Sequence, residues 1–88
     1  MKSQIDVFEL KKEFYRHIER ERNSSMYKIG FRIANMIYEL MKAKKYSGLQ
    51  IIDESDDEFV KFRVKSDKIV VFISEENYFW PDVFLAGD

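Results

Sequence analysis

Met26-Tyr27-Lys28-Ile29-Gly30-Phe31-Arg32-Ile33-Ala34-Asn35-Met36-Ile37-Tyr38-Glu39-Leu40-Met41-Lys42-Ala43-Lys44-Lys45 is the stretch on which the fold turns. Its polar residues Lys28, Arg32, Asn35, Glu39 and Lys42 fall at spacings of four, three, four and three. On a helix of about 3.6 residues per turn they form one stripe of roughly 80°. Nearly everything else is apolar: Ile29, Ile33, Met36, Ile37 and Leu40 on one flank, Tyr27, Phe31, Ala34, Tyr38 and Met41 on the other. A helix lying on one neighbour needs an apolar face of little more than about 100°, so this helix is expected to touch at least two things. The internal reading puts another helix on one flank and a sheet on the other. The intermolecular reading makes residues 26–45 the seam of a homodimer. Gly30 costs about 1 kcal/mol relative to Ala in mid-helix, which points to the close approach of another backbone at that position.

Upstream, Asp6 reads as an N-cap with Glu9 three residues on, and Ile5 and Leu10 stand at the staple positions. Val7, Leu10, Phe14 and Ile18 then recur at helical spacing, widened by Phe8 and Tyr15. The opposite side carries Lys12, Arg16 and Arg20, interleaved with Glu9, Glu13 and Glu19. Asn23-Ser24-Ser25 breaks the pattern, and either serine can cap the second helix. The triplet also fits a glycosylation acceptor, but with no secretory signal it reads as a turn.

Downstream, Lys44-Lys45-Tyr46-Ser47-Gly48 ends the second helix, with cations complementing its dipole and Gly48 near the C-cap. Residues 49–52 read as a strand and residues 53–57 as a charged loop. In residues 59–65, Val60, Phe62 and Val64 alternate with Lys61, Arg63 and Lys65, the period-two signature of a strand with one buried face; residues 68–74 form the next. With Ser66-Asp67 as a two-residue turn, Val64 faces Ile69, Phe62 faces Val71 and Val60 faces Ile73. The other side is mixed, pairing Arg63 with Val70, Lys61 with Phe72 and Phe59 with Ser74. The expected cover for it is residues 77–85, read around the only proline as an edge strand or a short turn of helix. The fold class is therefore α+β: two N-terminal helices packed on a three- to four-stranded antiparallel sheet, one domain spanning residues 1–88.

Composition agrees with this. Eighty-eight residues make one core, and 45% hydrophobic with 16% aromatic content fills it without metal or disulfide support. The absence of Cys excludes a disulfide framework, a thiolate metal site and a cysteine nucleophile. No apolar run approaches the roughly 18 residues of a membrane span, so a soluble, cytoplasmic protein without membrane attachment is expected. Charge is divided: residues 1–48 carry eleven Lys and Arg against six acids, and residues 49–88 carry four against ten. Such separation orients charged partners.

The chemistry of an enzyme is hard to find. His17 is the only histidine and sits at the edge of the apolar stripe of the first helix. Gly30, Gly48 and Gly87 lie too far apart to cradle a phosphate. Residues 53–58 resemble the start of a calcium loop, but Glu58 stands where the sharp turn requires Gly, and Val64 where a bidentate acid is required. Glu58 and Lys61 fall on opposite faces of a strand, unlike a nuclease site. No cofactor, metal or catalytic residue is expected.

The function that follows is a small non-enzymatic protein-binding module. Its format is that of inhibitors such as immunity proteins, antitoxins and phage-encoded anti-defence proteins, a likeness of size and charge alone. The expected contact residues are Asp53, Glu54, Asp56, Asp57, Glu58, Glu75 and Glu76 with the aromatics Tyr78 and Trp80, facing a basic target. The alternative is a nucleic-acid-binding regulator, dimeric through the second helix, using Lys12, Arg16, Arg20, Arg22, Lys44 and Lys45.

Overall fold

The computed structural model describes residues 5–18, 25–78 and 80–86. Two helices, α1 (Val7–Ile18) and α2 (Met26–Ala43), precede four strands: β1 (Gln50–Asp53), β2 (Lys61–Lys65), β3 (Ile69–Ser74) and β4 (Asp82–Leu85). The strands form one antiparallel sheet in the order β1-β2-β3-β4. No helix among the described residues is long and apolar enough to cross a membrane.

Asp6 caps α1 as expected, its Oδ1 accepting from the Glu9 N–H at 3.2 Å and its carbonyl from Leu10 N–H. Leu10, Phe14 and Ile18 are buried in a row. Ser25 stands at the N-cap of α2 without a side-chain bond; Asn23 and Ser24 lie outside the described residues. At the other end α2 stops two residues before the expected boundary. Tyr46 N–H reaches the Met41 carbonyl and Lys45 N–H the Lys42 carbonyl, with Lys45 left-handed at φ 68°. This is a Schellman cap built on Lys45 instead of Gly48; Gly48, at φ 66°, serves the following turn.

The two neighbours required by the wide apolar arc of α2 are both internal. Ile33, Ala34, Ile37 and Met41 are completely buried against α1 and the inner face of the sheet, with Tyr38 and Leu40 packed at the margin. What approaches Gly30 is not a backbone but side chains of the sheet and the β3–β4 turn. A Cβ there would lie 2.8 Å from Tyr78 Oη, 2.9 Å from Val60 Cγ1 and 3.1 Å from Phe62 Cε1.

The sheet keeps the expected faces but not the expected register. Val64 pairs with Val71 and Phe62 with Ile73, two residues further along β3 than a Ser66-Asp67 turn requires. The turn is Asp67-Lys68. Ser66 is buried, its N–H donating to the Ile69 carbonyl and its Oγ accepting from the N–H groups of Lys68 and Ile69. That serine belongs to the ladder and satisfies the turn's donors. Moving a turn by one residue shifts the pairing by two, so side-chain parity survives.

Residues 82–85 form an edge strand, with buried Pro81 just before it, where the missing N–H costs no ladder bond. The segment does not cover the outer face of the sheet; it pairs beside β3 and adds Phe84 to that face. On this face Arg63 stands opposite Phe72, and Lys65 opposite Val70, replacing the pairings expected from the earlier turn.

Candidate protein-binding surface

The acidic loop owes its shape to its own carboxylates. Asp53 Oδ1 accepts from Ser55 N–H at 2.9 Å, and Asp56 Oδ1 accepts from both Glu58 N–H and Phe59 N–H at 2.9 Å. These are side-chain turns of the kind Asp favours because its short arm mimics a backbone carbonyl. Ser55 Oγ bonds the backbone of Lys61, closing the loop onto β2. Glu54 is paired with Arg63. Glu75 Oε2 accepts from Val60 N–H at 2.6 Å, tying the end of β3 to the start of β2. Asp57, Glu58 and Glu76 are exposed and make no side-chain hydrogen bond or ion pair to the described residues. The expected acidic surface thus divides into carboxylates that build the loop and three that face solvent.

The aromatics beside this loop are different from those expected. Tyr78 is buried, its hydroxyl held by the Met26 carbonyl at 2.6 Å, so it is a core residue and is removed from the contact set. Trp80 stands against α1, edge-on to Phe8 and Tyr15 with Lys11 Nζ 4.8 Å from its ring, and so belongs to a cationic neighbourhood. The aromatics that accompany the loop are Tyr27 and Phe31, which lean on Phe62 with ring centroids 5.5 and 6.1 Å away. Both remain nearly half exposed, at 45% and 46%, as does Met26 at 49%.

Tyr27 Oη donates to Asp53 Oδ2 at 2.6 Å and thereby joins the apolar patch to the acidic loop. That bond, reinforced by the Ser55 N–H, holds the Asp53 carboxyl below its ordinary range, while the carboxylate pushes the Tyr27 phenol up. The sequence carried a signal for this patch. Tyr27 and Phe31 are four apart at the N-terminal end of an apolar arc too wide for α1 and the sheet to cover fully.

Of the basic residues of the alternative reading, Arg16 and Lys44 line one groove together with Glu9 and Glu13. Lys44 is paired with Glu13 at 3.2 Å, Lys12 Nζ lies 5.1 Å from the Phe8 ring, and Lys45 forms the cap of α2. Arg16 is exposed; Arg20 and Arg22 lie outside the described residues. His17 lines an open apolar groove of about 370 Å³ with Asn35, Met36, Glu39 and Leu40. Among the described residues no three or more His, Asp or Glu side chains are placed to hold a metal ion.

Comparison of the chain with protein-family models, curated proteins and solved structures finds no match.

Proposed function

We propose that this domain is a non-enzymatic protein-binding module whose contact surface combines the acidic loop, through Asp57 and Glu58, with exposed Met26, Tyr27 and Phe31. The observation that carries this reading is the Tyr27–Asp53 hydrogen bond. It fixes a half-exposed aromatic in one orientation against the loop that also carries the exposed Asp57 and Glu58, an apolar centre joined to a charged segment. Tyr and Phe supply contact area at low cost in side-chain entropy, and rim charges set partner choice and on-rate. The partner chemistry that fits is an apolar pocket surrounded by Lys and Arg, and the domain acts by occupying it.

The test is affinity capture from the native host's lysate with the immobilised domain and two variants, Phe31→Ser and the pair Asp57→Lys with Glu58→Lys. A protein retained by the parent, lost by both variants and then bound directly in purified form supports the reading. Capture that survives both changes overturns it.

A further inference from the structure

The face of the sheet turned away from the helices is open, and its side chains are sorted by type. Every outward residue of β2 is a cation: Lys61, Arg63 and Lys65. The other strands present Gln50 and Ile52 from β1, opposite Lys65 and Arg63, Val70 and Phe72 from β3 and Phe84 from β4. Phe72 and Phe84 meet edge to face at 5.6 Å, and the Arg63 guanidinium lies 5.4 Å from the Phe72 ring centre. Phe84 is 55% exposed, an apolar ring that the fold itself leaves in water. Two acids share the face: Glu54 is paired with Arg63, and Asp82 accepts from Asn77 Nδ2 at 3.3 Å.

We propose that this face binds single-stranded nucleic acid, the phosphates following the cation row of β2 and the bases stacking on Phe84 and Phe72. Alternate residues of a strand stand about 6.6 Å apart, a spacing on the scale of successive nucleotides in an extended single strand. Aromatic rings beside a basic track are the combination single strands select, because every base offers a π face and every nucleotide a charge. A second copy of this chain does not fit the face, since it would bring the same three cations against themselves. A duplex does not fit either, because its bases are not free to stack.

The test is fluorescence anisotropy with a labelled oligothymidylate of about 20 nucleotides, the same length of duplex DNA and poly-glutamate as competitors. The expected result is binding to the single strand that weakens roughly 7-fold between 50 and 200 mM salt, as about two phosphate contacts, from Lys61 and Lys65, require, Arg63 being held by Glu54. Phe84→Ala should weaken it about tenfold with the salt slope unchanged, one stacked base being involved. Lys61→Glu with Lys65→Glu should abolish it, and Lys12→Glu with Arg16→Glu should leave it intact. All these positions are on the surface, so circular dichroism should report the parent fold. No binding at 50 mM salt, equal competition by duplex or poly-glutamate, or loss only in the Lys12/Arg16 variant would each overturn the proposal.

Discussion

The Tyr78 hydroxyl donates a 2.6 Å hydrogen bond to the carbonyl of Met26, joining the turn between β3 and β4 to the first turn of α2 across 52 residues of chain. The bond runs directly over Gly30, whose missing side chain is what lets the phenol reach the helix. One aromatic residue near the C-terminal end thereby determines how closely the helix seats on the sheet.

Removing that hydroxyl should be felt in two ways. Tyr78→Phe leaves the Met26 carbonyl its helical partner, so the loss in denaturant unfolding should be about 1 kcal/mol. The second effect is on pH dependence. Burial, with the Glu75 carboxylate nearby, pushes the Tyr78 phenol from 10.0 up to about 12. The folded chain then keeps a proton that the unfolded chain releases, so this contribution is complete below pH 10 and is lost as pH rises toward 12. Tyr78→Phe should flatten the alkaline limb of the stability curve; a limb unchanged from the parent's would show that Tyr78 is not its source.

Gly30→Ala should destabilise the fold although it improves helix propensity. The propensity gain is about 1 kcal/mol, whereas forcing a methyl into a filled contact costs about 1–3 kcal/mol. A net loss of about 1 kcal/mol is expected in chemical denaturation. Combined with Tyr78→Phe, which removes the nearest atom, the loss should be smaller than the sum of the two single changes. Additive losses would mean that Val60 and Phe62, not the phenol, set the clash.

Lys45→Gly should stabilise. A side chain in the left-handed region costs about 1 kcal/mol that glycine does not incur, and the backbone cap needs nothing from the lysine. The melting temperature should rise by about 4–8 °C, the usual response of a domain this size to about 1 kcal/mol.

The Tyr27–Asp53 bond can be read by NMR titration of the carboxyl. Asp53 should titrate below 3.8 in the parent, held there first by the Tyr27 hydroxyl and then by Ser55, and move back toward that value in Tyr27→Phe. Its contribution to stability is therefore present above pH 3.8 and disappears as pH falls through the lowered value. An Asp53 titration unmoved by Tyr27→Phe would remove the link between loop and patch.

The sequence made some of this legible and hid the rest for identifiable reasons. Helix faces and strand parity follow from periodicity, so Phe14, Ile33, Phe62 and Val71 were placed in the core directly. The hairpin register was not, because Ser66 reads as a turn residue although its hydroxyl stands in for a ladder acceptor. Tyr78 and Trp80, two positions apart, read from the sequence as parts of one surface. In the fold one enters the core and the other meets α1, since only the pairing of β4 with β3 decides where that turn points. The loop carboxylates were visible as charge, but which ones the backbone would consume depended on turn geometry that charge does not reveal. The open outer face was legible as Lys61, Arg63 and Lys65, but not as a surface, because residues 77–85 were expected to cover it.

Chain neighbours are also spatial neighbours throughout the four strands, which has a kinetic consequence. Each strand pairing closes only a short loop, and the entropic barrier to assembling the sheet is correspondingly low. Seating α2 through Tyr78 spans most of the molecule, so it should come last. In stopped-flow refolding, Tyr78→Phe should then speed unfolding and leave the folding rate nearly untouched.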